Sequence, residues 1–334
     1  MNSSLSSKTL PTIADVETAA RRIAGQAIET PLLESPGLNQ RIGGRVLIKP
    51  ELLQRTGSFK FRGAFNKIKH LVEQGGGQGG VVAYSSGNHA QGVAAAAQLL
   101  GLPATIVMPS DAPAIKLGNT RGYGAEVVLY DRLKENREAI AGEIAAKRKA
   151  TIVPPFDDID IIAGQGTAGL EMARQTKALG ATLDAALLPC GGGGLISGST
   201  LALQATWPKL PVYSCEPVGF DDTKRSLAVH KRLPVEPGAK SICDGLLSPI
   251  PGEMTFALND RNLAGGFALS DDEVLAAMSF AFRVMKLVLE PSGAVGLAAL
   301  LTGRFDGKGK TVGLLCSGGN VDPDVFARCL TFAG

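Results

Sequence analysis

The chain has 334 residues, 45% of them hydrophobic and 19% charged, and a formal net charge of +3. This is the profile of a globular protein long enough for a large core and two domains, and with no Lys/Arg run or aromatic–basic interleaving it argues against nucleic-acid binding. No apolar run approaches a membrane span, Met1–Leu10 is Ser-rich and lacks the apolar stretch of a signal peptide, and five cysteines without CxxC spacing argue against a disulfide framework or zinc site and for a reducing, cytoplasmic setting.

In chain order, Val46–Lys49 is the first predicted strand. Ser58-Phe59-Lys60-Phe61-Arg62-Gly63-Ala64 follows the turn glycine Gly57 and opens a helix in which Phe61, Ala64, Phe65, Ile68 and Val72 share a face. A lysine at an apolar helix start is poorly solvated. Burial disfavours its ammonium form and makes the amine a better nucleophile, as Schiff-base chemistry requires. A lysine that snorkels to water is the plainer alternative. Gly75–Gly80 is a predicted loop and hinge, and Val81–Tyr84 the next strand. Ser85-Ser86-Gly87-Asn88-His89 then offers hydroxyls, an amide and helix-start N–H groups, suited to a carboxylate and a ring oxygen or simply to helix capping. Thr105–Met108, Glu126–Tyr130 and Thr151–Val153 are further predicted strands, and Pro154-Pro155 breaks the chain again.

Beyond this break Ala185–Leu188 leads into Gly191-Gly192-Gly193-Gly194 and a helix starting near Leu195. Four residues without side chains let backbone N–H groups converge on an anion, and a helix N-terminus adds partial positive charge, so the stretch forms a phosphate cup or a tight turn. It lacks the P-loop pattern and matches G-x-G-x-x-G poorly. After the strand Val212–Cys215, the side chains of Glu216 and Asp222 and the carbonyl of Phe220 suit a hard cation, or are solvated loop groups. Ser270-Asp271-Asp272-Glu273 is a capping box for a helix reaching about Lys286. Thr311–Cys316 is the last predicted strand, followed by Ser317-Gly318-Gly319-Asn320, a turn whose Ser317 hydroxyl suits a heteroaromatic nitrogen. Alternating strands and helices imply an α/β fold of two domains, each with a mostly parallel twisted sheet flanked by helices. Residues 1–79 and 156–334 form the large domain and 80–155 a small inserted one, with ligands at the carboxyl ends of strands.

Ser58-Phe59-Lys60, Ser85–His89, Ala163-Gly164-Gln165-Gly166-Thr167, Gly191–Gly194, Glu290-Pro291-Ser292-Gly293-Ala294 and Ser317–Asn320 occur in the order and spacing of a known family. From about Ile13 to Phe332 the chain resembles the serine/threonine dehydratase, serine racemase and 3-hydroxyaspartate dehydratase group of pyridoxal-phosphate (PLP) enzymes, of fold type II and tryptophan synthase beta-like. The resemblance implies that Lys60 carries PLP as a Schiff base and acts as acid and base on one face of the substrate Cα. It implies Phe59 against the ring, Asn88 on the ring hydroxyl, Gly191, Gly192, Gly193, Gly194 and the N–H of Leu195 around the phosphate, and Ser317 at the pyridine nitrogen. Ser85, Ser86, Asn88 and His89 are implied for the substrate carboxylate, Ser86 as the second acid/base, and Glu216, Phe220 and Asp222 for a divalent cation (Mg2+, Ca2+ or Mn2+). A neutral Ser317 leaves the pyridine nitrogen unprotonated, which favours loss of a β-leaving group over transamination.

Arg137 departs from the threonine dehydratases, which carry an aliphatic residue there, and agrees with the racemase and 3-hydroxyaspartate branches. It suits a second substrate carboxylate, or pairs with Glu135 or Glu138 on a helix surface. The implied activity is a PLP-dependent ammonia-lyase on a β-hydroxy amino acid, with 3-hydroxyaspartate favoured over threonine or serine, accompanied or not by serine racemisation. A non-catalytic phosphate-ligand module is the remote alternative. The resemblance also implies a homodimer and, from the end at Gly334, no isoleucine-sensing regulatory domain.

Overall fold

Stretches such as Val46-Leu47-Ile48 are buried on both faces, as strands of a parallel sheet covered on both sides must be. The computed structural model describes residues 9–112 and 114–332, so Met1–Lys8, Pro113, Ala333 and Gly334, including most of the Ser-rich start, lie outside the described residues. Its strands are β1 (Arg45–Pro50), β2 (Val81–Tyr84), β3 (Ala104–Pro109), β4 (Glu126–Tyr130), β5 (Thr151–Ile152), β6 (Ala185–Pro189), β7 (Val212–Pro217), β8 (Gly265–Leu269) and β9 (Thr311–Cys316). They form a five-stranded sheet in the order β1-β9-β6-β7-β8 and a four-stranded sheet in the order β4-β3-β2-β5. Every pairing in both is parallel.

The helices are α1 (Ile13–Ile23), α2 (Pro36–Ile42), α3 (Lys60–Glu73), α4 (Asn88–Leu99), α5 (Ala114–Gly122), α6 (Arg137–Arg148), α7 (Ile159–Ala178), α8 (Gly194–Thr206), α9 (Asp222–Val229), α10 (Glu253–Asn262), α11 (Asp271–Phe280), α12 (Pro291–Leu301) and α13 (Pro323–Thr331). Val46, Ile48, Leu187, Val312 and Leu314 of the larger sheet pack on Val295, Leu297 and Ala298 of α12. Phe61 and Phe65 of α3 instead join Val81, Ala83, Ile106 and Met108 of the smaller sheet, with Ala90, Val93 and Ala94 of α4. Lys60 at the start of α3 is thus held where the two sheets meet. No helix among the described residues is long and apolar enough to cross a membrane.

Three local expectations change. β8 was not predicted: its Gly265-Gly266 start has no side chains to signal a strand, and four of its five residues are half-buried at the sheet edge. Thr151–Val153 shortens to Thr151–Ile152: Val153 N–H still donates to the Val82 carbonyl, but the next N–H due toward β2 falls at Pro155, which has none. The helix expected to reach Lys286 is α-helical only to Phe280. It continues as a π turn, Ala281–Met285, and stops at Lys286, whose φ of 59° is left-handed. Ser270 does form the expected capping box with Glu273.

Candidate active site

The carboxyl ends of β2, β6 and β9 open onto one cleft, whose lining includes Lys60, Ser85–His89, Gly191–Leu195 and Ser317. The Ser317–Asn320 turn holds the start of α3 in place. Phe59 N–H donates to the Ser317 carbonyl (3.1 Å), Gly319 N–H donates to the Gly57 carbonyl (3.0 Å), and Ser58 bridges Gly318. Lys60 Nζ donates to the Pro155 carbonyl (2.8 Å) and lies 5.0 Å from the centre of the Phe59 ring. Desolvation of its ammonium lowers the Lys60 pKa to about 8, with no carboxylate nearby to restore it. At pH 7 about a tenth of the amine is therefore unprotonated, far more than for an ordinary lysine.

Two helices begin at this cleft without a side-chain cap. α8 starts after Gly193, whose φ of 97° no ordinary L-residue adopts readily, and α4 starts after Gly87. A Cβ on Gly192 would run into the Phe156 ring, and one on Gly194 would meet Gln165 Oε1 at 2.5 Å. Glycine here lets the backbone itself line the cup, leaving first-turn N–H groups of two helix dipoles open to anions. One anion site beside a buried amine and a second anion site facing it fit a phosphate-bearing aldehyde and a carboxylate substrate.

The His89 side chain is engaged away from the cleft's anion site. Its Nε2 lies 2.9 Å from the Val153 carbonyl, so Nε2 must carry the hydrogen, and burial followed by the Lys60 charge lowers its pKa to about 3. The ring is neutral, and its buried Nδ1 is an acceptor without a partner. That ring cannot donate to a carboxylate, so of His89 only the backbone N–H, in the first turn of α4, is left to face an anion. Ser85 Oγ accepts from Gly87 N–H (3.2 Å), while Ser86 lines the cleft. Ser317 Oγ lies 3.4 Å from the Ser292 carbonyl, a long contact that a hydroxyl can give up to turn its O–H into the cleft it lines.

Arg137, the first residue of α6, lines the same cleft with its guanidinium 5.3 Å from the centre of the Tyr84 ring. Glu138 is only a weak partner at 3.9 Å, and Glu135 instead accepts from Asp131 N–H (2.6 Å). Glu216 and Asp222 lie outside the lining, at the turn from β7 to α9. Glu216 accepts from Thr223 N–H and Lys224 N–H, both at 2.9 Å, and from Ser214 Oγ at 3.1 Å. Both oxygens of the Asp222 carboxylate are buried without a donor. Burial, then the neighbouring Asp222, raises the Glu216 pKa to about 8, and burial raises that of Asp222 to about 7. Lys224 and Arg225 lie nearest Asp221, at 3.5 and 3.7 Å, which leaves the two buried Asp222 oxygens open to a cation.

Sequence reasoning assigned no role to Lys116, Asp244, Gln165 or Glu290, all of which line the cleft. Lys116 Nζ pairs with Asp244 Oδ2 at 2.6 Å and lies 3.6 Å from Glu290 Oε2, contacts spanning 128 and 174 positions that no local pattern reveals. Glu290 and Gln165 do stand inside motifs quoted above, and that is the signal that was available.

A family model described as "Pyridoxal-phosphate dependent enzyme" matches residues 23–318. The chain is 44% identical over 316 residues to an L-threo-3-hydroxyaspartate ammonia-lyase of Pseudomonas sp, covering 95% of this chain and 97% of that one. It is 40% identical to a serine racemase of Schizosaccharomyces pombe over 326 residues, covering 96% and 98%. Among solved structures it superposes on a threonine deaminase from T.th. with a TM-score of 0.87 at 43% identity, covering 93% of this chain and 99% of that one. A buried amine flanked by two uncapped helix starts thus coincides with a match over most of the sequence, and the chain belongs to the pyridoxal-phosphate dependent enzyme family, in its fold type II dehydratase and racemase group.

Proposed function

We propose that this protein is a PLP-dependent ammonia-lyase that removes the elements of water from a β-hydroxy amino acid, with 3-hydroxyaspartate as the preferred substrate. The products are a 2-oxo acid and ammonia: for 3-hydroxyaspartate, loss of water leaves iminosuccinate, and hydrolysis gives oxaloacetate. Lys60, Phe59, Asn88, Gly191–Gly194, Leu195 and Ser317 would hold the cofactor, which when bound supplies an electron sink for the pair left on Cα. The depressed pKa of Lys60 lets its amine take the Cα proton near neutral pH. The first-turn N–H groups of α4, with Ser85 and Ser86, bind the α-carboxylate, and Ser86 serves the opposite face of Cα.

Arg137 carries the choice of substrate. An arginine lining the cleft and lacking a close carboxylate partner suits a second substrate carboxylate, which threonine and serine do not have. The similarity to an L-threo-3-hydroxyaspartate ammonia-lyase supports the same reading. Threonine or serine dehydration with attendant racemisation is the second reading, favoured by Lys60 and Ser86 sharing one cleft and by the resemblance to a threonine deaminase and a serine racemase. A divalent cation at Glu216, Asp222 and the Phe220 carbonyl belongs to the proposal, as do a small domain spanning 80–155 and a homodimer. The homodimer draws support from Phe282, Val284 and Val288, apolar side chains each 40% exposed on one segment.

The test is ammonia release from L-threonine, L-serine and the erythro and threo 3-hydroxyaspartates by wild type and Arg137→Ala. A hydroxyaspartate preference in kcat/KM that falls about 10–100-fold in the variant, the ~1.5–3 kcal/mol of hydrogen bonds between charged groups, supports the dicarboxylate reading. A preference for threonine or serine that is indifferent to Arg137 replaces it with the second reading.

A further inference from the structure

Both ends of the Asn88 side-chain amide are committed to protein, and the commitments determine which end is which. Asn320 Nδ2 donates to the Thr56 carbonyl (2.8 Å) and to Asn88 Oδ1 (2.8 Å). A backbone carbonyl only accepts, so the Asn320 atom facing it is nitrogen, and the Asn88 atom sharing that nitrogen is oxygen. Asn88 Nδ2 therefore lies on the other side, 2.5 Å from Glu290 Oε1. An amide nitrogen carries two hydrogens, and Glu290 takes one. The second has no acceptor among the described residues, and Asn88 lines the cleft.

Glu290 is itself held. It sits at the start of α12, 1% exposed, with its N–H donating to the Gly318 carbonyl (3.1 Å) and Lys116 Nζ 3.6 Å from its second oxygen. The Thr56 carbonyl lies on the loop that leads into Lys60. One chain of contacts thus runs from the segment before Lys60, through Asn320 and Asn88, to Glu290.

We propose that Glu290 and Asn320 are positioning residues that lock the Asn88 amide with its remaining N–H toward the ring oxygen of the bound cofactor, holding that oxygen as the anion. The inference rests on the reading that Asn88 meets the ring oxygen. A donor there stabilises an oxyanion, whereas an inverted amide would present Oδ1, repel the anion and favour the protonated hydroxyl. The orientation of one amide then sets the ionisation of the cofactor ring, which is visible in its absorption.

The test uses the holoenzyme, its visible spectrum and its cofactor dissociation constant. Asn320→Asp is isosteric but sets carboxylate oxygens against the Thr56 carbonyl and Asn88 Oδ1, so Asn88 must invert or lose a contact. It is expected to shift part of the long-wavelength band to the shorter-wavelength band of a protonated ring hydroxyl and to weaken cofactor binding about tenfold. Glu290→Ala, which leaves the amide held by Asn320 alone, should shift the spectrum the same way but by less, and Glu290→Gln, which keeps an acceptor for Asn88, should restore the wild-type spectrum. Circular dichroism checks folding; if Glu290→Ala does not fold, Asn320→Asp carries the test. Wild-type spectrum and affinity in Asn320→Asp, while Asn88→Asp alters both, would overturn the positioning role and spare the Asn88 assignment. An unaltered Asn88→Asp would remove the assignment and the positioning role together. A Glu290→Gln spectrum displaced as far as that of Glu290→Ala would also overturn the proposal, since charge rather than amide orientation would then be the cause.

Discussion

His89 has the side-chain chemistry of a carboxylate donor, and its neighbours take that role away. The Val153 carbonyl claims its only hydrogen, and burial with Lys60 nearby keeps the ring neutral. This has a consequence for stability. The folded pKa of about 3 lies below the usual 6.5, so between these values the unfolded chain binds a proton that the folded chain does not. Stability from this group is full above pH 6.5 and is lost as the pH falls toward 3. His89→Gln keeps a donor for Val153 without titrating. Its urea midpoint should vary less with pH across that window, by up to one proton or about 1.4 kcal/mol per pH unit. Parallel curves for the two proteins would mean that His89 is not a buried neutral base. Lys60 is the opposite case, for its unusual setting was legible from the apolar sequence around it.

At the scale of elements, the cleft is assembled from the ends of parallel strands. β2 ends at Tyr84, β6 at Pro189 and β9 at Cys316, and each hands the chain to a glycine- or serine-containing turn. The turn after β7 stands apart from it, because Glu216 and Asp222 lie outside the cleft lining. Folding confines two carboxyls there, one with both oxygens unpartnered. A cation that binds only the folded chain stabilises it by about 2.7 kcal/mol at roughly a hundredfold excess over its Kd. Chelation should therefore lower Tm, and Mg2+, Ca2+ or Mn2+ should restore it, while Asp222→Asn should lose most of this response. A Tm indifferent to chelator and cation alike would strike the metal from the proposed function.

Across the whole molecule, the segment around Lys60 is anchored by a buried charge network. Arg62 donates to both oxygens of Glu51 (2.7 and 2.8 Å) and to both of Glu171 (2.6 and 2.8 Å), and Lys49 Nζ meets Glu171 at 2.7 Å. The end of β1, the start of α3 and the middle of α7 are tied together this way, two residues from Lys60. Burial opposes the Arg62 charge, but Glu51 and Glu171 outweigh it and raise its pKa. Such a pair is strong evidence of position and weak evidence of net stability, yet removing one partner strands the other. Arg62→Leu should therefore cost about 3–5 kcal/mol in urea denaturation. A loss below about 1 kcal/mol would mean that water or a rearranged Lys49 compensates Glu51.

What the amino-acid order determined by itself was whatever depends on neighbours in sequence. Seven of the strands were legible from runs with β-branched residues and β6 from a short apolar run, the turn after β6 from four consecutive glycines, and the α11 cap from Ser270 and Glu273, because propensity, backbone freedom and capping act within a few residues. The motif set extended this to the family. The tertiary structure alone decided which side chains share a dielectric environment. Glu290 meets Asn88 across 202 positions, Lys116 meets Asp244 across 128, and His89 loses its hydrogen to Val153 across 64. β8 escaped for a related reason, since Gly265-Gly266 carries no side-chain pattern and its edge position comes from pairing with β7. Hydrogen-bond direction and charge state depend on distances of a few ångströms between remote residues, and only the folded chain sets those distances.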